Sequence, residues 1–249
     1  NQRIDVVYTW VDPTHQEWLE QKNAAKGHSS FANNQSRYNS NLNELKYSLR
    51  SLQCYFSEHI RRIYVVTNHA SVPDFLDVTR DDVVIIDDRD LLGHESYCSC
   101  VFESVLHRIP GITENFLYMN DDMFLNKPLS LGDVFGLDGG PIWYQDTDRV
   151  VRFFNRYPGL SRFFDVDGYV ALAREHTFKR LGVSGKMPGP IGHCCRLLNT
   201  QLLADFEFRF SAEIDACRRT LFRSKDIFCF LDAYCYYFWS QKKLKFSQS

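Results

Sequence analysis

Four short runs constrain this chain more than anything else in it: DVVYTW (5–10), RIYVVTN (62–68), VVIIDD (83–88) and NFLYMNDD (115–122). Each is apolar and rich in β-branched and aromatic residues; the first ends at the polar turn Val11-Asp12-Pro13, and the others close on a polar residue. Continuous rather than alternating apolar runs belong to strands that are covered on both faces. Between the first two runs Leu42, Leu45, Leu49, Leu52 and Phe56 recur at helical spacing, with Ser40 or Asn41 able to cap the start. Residues 100–109 read as a short helix that Pro110-Gly111 ends. Alternating strands and helices predict an α/β fold with a mostly parallel sheet and helices on both faces. Residues 14–40 are polar and read as a loop with some helix. Turn signals crowd 136–190, and helical patterns return after it. Ser224 is the expected N-cap of the helix through IFCFLDAYCYYFW. The expected organisation is an α/β core over 1–135, a connecting segment over 136–190 and a C-terminal helical annex over 191–249.

In such sheets ligands bind beyond the carboxyl ends of the strands. Asp12, Asn68, Asp87 and Asp121-Asp122 are therefore where chemistry is expected. Asn120-Asp121-Asp122 is the sharpest of these. Paired carboxylates at a strand end can hold a divalent cation, and the competing reading is an Asx-capped turn. Glu103 and His107 lie four residues apart and would share a helix face as an acid/base pair. The alternative is a surface pair. His193, in a turn-rich GPIGHCC segment, could act as a base or be structural. Arg223 precedes a helix start where a phosphate could sit, or is a surface arginine. No glycine-rich phosphate loop of either standard type is present, nor a GxSxG elbow.

Composition narrows the class. The net charge of -2 argues against a nucleic-acid partner, and no apolar run is long enough to span a bilayer, so membrane association is not visible in this sequence. Aromatic residues reach 15%, enough to supply both core area and stacking surfaces. The 8 cysteines form no CxxC pair, so reduced thiols in a cytoplasm are favoured over a zinc site, with a secretory lumen as the alternative.

The blocks IDVVYTWVD, NELKYSLRSL, RIYVVTN and FESVLHRIPGITENFLYMNDDMFL stand in the order found in the Stealth family of hexose-1-phosphate transferases, which this chain resembles. His193 fits that family's His-x-Pro position with Cys195 in place of the proline, and Arg223-Ser224-Lys225-Asp226 fits its Arg-Ser block. Asp88 stands where the family has a His after the third strand, Tyr97-Cys98-Ser99-Cys100 replaces its usual stretch before the Glu, and its fourth region is not visible.

The resemblance implies transfer of a sugar-1-phosphate from a nucleotide diphosphate sugar, UDP-linked, to a glycan or other acceptor hydroxyl, with release of a nucleoside monophosphate. It implies Mg²⁺ or Mn²⁺ at Asp121 and Asp122. Asp122, Glu103, His193 and Arg223 are then the expected catalytic residues, and Tyr8, Thr9, Trp10, Asp12, Arg50 and Asn68 the expected nucleotide contacts. Arg50 lies one turn beyond Lys46 on the same helix. The alternatives are a glycosyltransferase that releases the diphosphate and a non-catalytic binding module. The expected location is the cytoplasm, at the inner face of a bacterial membrane, or alternatively a Golgi lumen.

Overall fold

A computed structural model of the chain describes residues 3–26, 42–157, 160, 168–182, 189–224 and 226–247. The four apolar runs are strands: β1 (Ile4–Trp10), β2 (Ile60–Thr67), β3 (Val83–Asp87) and β4 (Asn115–Asn120). They lie in the order β3-β2-β1-β4 and are all parallel. A fifth strand, Arg196–Asn199, closes the β4 edge in antiparallel register, with Tyr118 opposite Arg196. The central strands β1 and β4 are buried on both faces, and β3 at the edge is partly buried along its whole length, so none of these alternates.

Helices Gln16–Lys26 (α1) and Glu44–Phe56 (α2) fall between the first two strands. Helix α2 packs Leu45, Leu52 and Phe56 against Val6, Tyr8, Val65 and Leu117 on one face of the sheet. The helix begins two residues later than the leucine spacing suggests. Leu42 is 69% exposed, and the cap is Asn43, whose left-handed backbone (φ 58) suits asparagine. Ser40 and Asn41 lie outside the described residues.

The stretch read as one helix over 100–109 is two pieces. Ser99–Glu103 forms a helical turn and Leu106–Arg108 a separate 3₁₀ turn, with Ser104 and Val105 between them. Beyond β4 come the short helix Leu131–Val134, the strand Ile142–Tyr144 and helices Arg149–Arg156 and Gly168–Leu181. Helices Thr200–Arg209, Ser211–Arg218 and Phe230–Ser240 follow. The strand Lys245–Ser247 pairs in parallel with Ile142–Tyr144. Ser224 does not cap the last long helix. That helix starts at Phe230 with Cys229 as its N-cap, and Ser224 Oγ accepts a local bond from Asp226 N.

The second face of the sheet carries the larger core, built around Phe206. Its ring meets Phe210, Phe230, Tyr234, Tyr237 and Phe238 at centroid distances of 4.8–6.2 Å. The helix that supplies four of these rings is apolar nearly all round because it is buried on every side. Phe206→Ala is expected to cost about 3–5 kcal/mol of unfolding free energy. Urea denaturation followed by circular dichroism measures it, and a cost under about 1 kcal/mol would mean that this cluster refills easily.

Candidate active site

Strand register builds the site. Thr9 lies opposite Asn120 and Trp10 opposite Thr67, so the carboxyl ends of β1, β2 and β4 finish side by side. The chain leaves β4 through a tight turn in which Met123 N donates to Asn120 O at 3.2 Å. Asp121 is half-buried on this turn and Asp122 is exposed. Burial first, then the charge of Asp122, pushes the Asp121 carboxyl up to about 6. Asn120 Oδ1 is buried beside the pair with no hydrogen-bond partner among the described residues.

His193 reaches the same turn. Its Nε2 lies 3.0 Å from Asp122 Oδ1, and both side chains are a little over half exposed. The loop that carries it is held by backbone bonds. Gly192 N donates to Tyr144 O at 2.8 Å, and Asp146 N donates to Pro190 O at 2.7 Å. A Cβ at Gly192 would sit 3.2 Å from Tyr144 O, so the smallest residue lets the two backbones approach. From the strand side, Arg196 Nη2 donates to Gly192 O at 3.1 Å.

Arg223 is brought in by a second long-range zipper. Tyr97 N donates to Leu221 O at 2.8 Å, Ser96 Oγ donates to Thr220 O at 3.0 Å, and the Tyr97 and Phe222 rings stack at 5.1 Å. Arg223 Nη2 then donates to Ser99 Oγ at 2.6 Å, at the start of the turn that ends in Glu103. Glu103 is buried. Desolvation, then the neighbouring Cys100, holds its carboxyl well above the usual range, against the opposing pull of Arg196 and Arg223. The Tyr118 hydroxyl, buried in the same neighbourhood as Glu103, meets Thr9 Oγ1 at 3.0 Å.

Other expectations fare differently. His107 does not join Glu103. The helical turn ends at Glu103, and His107 Nε2 pairs with Glu207 at 2.9 Å beside Arg108 and Arg218. Tyr8 has no exposed surface and belongs to the core under α2, so its ring is out of a ligand's reach. Asn68 is also buried. Its Oδ1 accepts from Asp12 N at 2.7 Å and its Nδ2 donates to Asp12 O, so it clamps the loop after β1. Asp12 Oδ1 in turn caps Thr14 through N and Oγ1. Thr9 and Trp10 remain partly accessible at the strand end, while Arg50 is exposed on α2, 5.8 Å from the Tyr47 ring.

Sequence reasoning missed Arg196, Ser48 and Ser51. Ser48 and Ser51 recur at helical spacing within NELKYSLRSL on the face turned to the Asp121-Asp122 turn, which is the signal that could have found them. All eight cysteines are free thiols. Among the described residues no three His, Cys, Asp or Glu side chains form a metal-binding group, and no helix is long and apolar enough to cross a membrane.

Two family models match the chain: Stealth protein CR1, conserved region 1, over residues 2–30, and Stealth protein CR2, conserved region 2, over residues 37–142. The capsular polysaccharide phosphotransferase fcs1 of Haemophilus influenzae is 35% identical over 143 residues, 55% of this chain and 38% of that protein. The exopolysaccharide phosphotransferase CpsY of Mycobacterium tuberculosis is 28% identical over 94% of this chain and 44% of its own length. The chain thus spans less than half the length of these relatives. Among solved structures, an active-site mutant of the galactosyltransferase LgtC superposes with a TM-score of 0.50 at 13% identity, over 98% of this chain and 72% of that chain. That likeness concerns the fold, a nucleotide-sugar-transferase-like α/β sheet. The chain belongs to the Stealth family, whose conserved regions 1 and 2 it carries.

Proposed function

We propose that the chain is the catalytic part of a transferase that moves a sugar-1-phosphate from a nucleotide diphosphate sugar to an acceptor hydroxyl. The observation that carries this reading is the 3.0 Å contact of His193 with Asp122, next to a second carboxylate at the ends of parallel strands. A carboxylate only accepts, so Nε2–H of His193 donates to Asp122 and Nδ1 is the basic nitrogen. Nδ1 takes the proton of the acceptor hydroxyl as its oxygen attacks the phosphorus that bears the sugar. The bond from that phosphorus to the bridging oxygen breaks, and a nucleoside monophosphate leaves. Arg223 offers its guanidinium fork to the phosphate oxygens. Glu103, kept neutral by burial, can donate a hydrogen bond where an ionised carboxylate would repel the substrate.

Asp121, Asp122 and the leftover Asn120 oxygen are hard donors that suit Mg²⁺ or Mn²⁺, and such a cation would shield the diphosphate. Mg²⁺ is commonly held by one or two carboxylates together with substrate phosphates, which agrees with the absence of a three-residue ligand group among the described residues. Thr9 and Trp10 would face the nucleoside. The nucleotide is taken as UDP, and the acceptor as a growing phosphoglycan of the capsule or exopolysaccharide kind. Free thiols favour the cytoplasmic side of a membrane.

Incubating the chain with UDP-, CDP- and GDP-sugars and identifying the released nucleotide tests the reaction. Monophosphate is expected. Diphosphate would mean glycosyl transfer, and no release would mean a binding module. Excess EDTA is expected to abolish turnover, and full turnover in EDTA would remove the cation. The carboxylate form of Asp121 prevails only above about 6, so the Mg²⁺ concentration for half-maximal rate should fall as pH rises through that value. A half-maximal concentration independent of pH between 5 and 7.5 would argue against Asp121 as a ligand.

A further inference from the structure

The turn that carries Asp121 and Asp122 does not hold its shape alone. Ser48, fully buried on α2, donates its hydroxyl proton to Met123 O. A carbonyl can only accept, so the single Ser48 proton is committed there. The Tyr8 hydroxyl lies 2.9 Å from Ser48 Oγ and 3.3 Å from Met119 Sδ. Burial keeps Tyr8 a phenol, so it has a proton to give, and Ser48 Oγ is the stronger acceptor. One turn later Ser51 Oγ accepts from Leu125 N at 3.0 Å and donates to Ser48 O at 2.7 Å. Beyond the turn, Leu129 N donates to Tyr55 O at 3.0 Å. Helix α2 therefore grips the segment after β4 at three successive points, and the first of them is one residue past Asp122.

We propose that Ser48 is a positioning residue for the Asp121-Asp122 turn, fixing the carboxylate pair against helix α2 and the end of β1. The proposal rests on the reading of that pair as the cation and phosphate site, and it deepens that reading. Ser48 touches no reacting group. It acts through Met123 O, the nearest to the carboxylate pair of the three bonds from α2 just described. Tyr8 serves as the donor that satisfies the second valence of Ser48, which explains why a tyrosine of the strand end points into the core.

Amide hydrogen exchange on the full chain decides the matter, because the Met123 N–H closes the turn onto Asn120 O. Ser48→Ala should speed Met123 exchange by about tenfold, the worth of one buried hydrogen bond. Exchange at Leu117 and Met119, inside β4, should stay unchanged. Ser48→Thr, which keeps the hydroxyl, should restore protection. Tyr8→Phe keeps the Met123 bond and should leave Met123 exchange within about twofold of the parent. Mn²⁺ alone, titrated with detection of the free ion, should bind about tenfold more weakly to Ser48→Ala. Unchanged Met123 exchange in Ser48→Ala overturns the proposal, as does faster exchange with unaltered Mn²⁺ affinity. If Ser48→Ala does not fold, Ser48→Cys, a weaker donor of similar size, is judged by the same criteria. A parent chain that binds no Mn²⁺ while Ser48→Ala exchanges faster at Met123 would leave Ser48 positioning the turn and would sink the cation reading instead.

Discussion

Asp122→Asn is expected to lower turnover by about 10²–10³-fold, the range for removal of one preorganised electrostatic group. Two losses combine. The negative charge disappears from the proposed cation and diphosphate site. The His193 contact also changes character, because an amide can turn its NH₂ toward Nε2 and so favour the wrong tautomer. Stability should hardly move. The side chain is 56% exposed, and substitutions at such positions usually fall within about 0.5 kcal/mol of neutral. The neighbouring Asp121 supplies an internal check. Asp122 is the second cause of its raised pKa, so removing that charge should bring Asp121 down from about 6. Initial rates of nucleotide release, a thermal melt and a carboxyl titration by NMR measure the three effects. A folded Asp122→Asn protein with near-parent turnover would remove the central residue of the mechanism.

The sheet was legible in the sequence because its central strands are buried on both faces, which leaves unbroken apolar runs that end where the polar residues begin. The Asp121-Asp122 turn was legible for the same reason. The short strands Arg196–Asn199, Ile142–Tyr144 and Lys245–Ser247 were not. Each spans three or four residues, too few for a period to register, and each depends on a partner far along the chain. Tyr8 shows a different limit. A strand-end tyrosine can face a ligand or the core, and its neighbour Thr9 takes the other face; only the position of α2 decides between them. His107 shows a third. Its spacing from Glu103 would put both on one helix face, but the helix stops at Glu103, and Glu207, 100 residues away, claims the imidazole. Asn68 was singled out as polar at a strand end, yet its amide is spent on the Asp12 backbone. In each miss the residue type was informative and the partner was long-range.

Replacing Arg223 tests the other half of the site, since its segment is also held by contacts that do not use its charge. The stretch before it is fixed by the Tyr97–Leu221 backbone bond, the Ser96–Thr220 bond and the stacked rings of Tyr97 and Phe222, none of which involves the guanidinium. Arg223→Met should therefore fold with a melt close to the parent. Its turnover should drop by about 10²–10³-fold, because in the proposed mechanism the phosphate oxygens would lose their forked donor. Arg223→Lys should recover only part of the rate. An ammonium returns the charge but not the planar pair of donors. Ser99→Ala is the control that separates anchoring from chemistry. It removes the 2.6 Å contact to Nη2 and leaves the guanidinium in place, so a loss of only a few-fold is expected. If Ser99→Ala were as damaging as Arg223→Met, the arginine would act by fixing the turn that bears Glu103. If Arg223→Met turned over like the parent, the phosphate would have to be held by other cations, with Arg196, which also bears on Glu103, a candidate on the strand side.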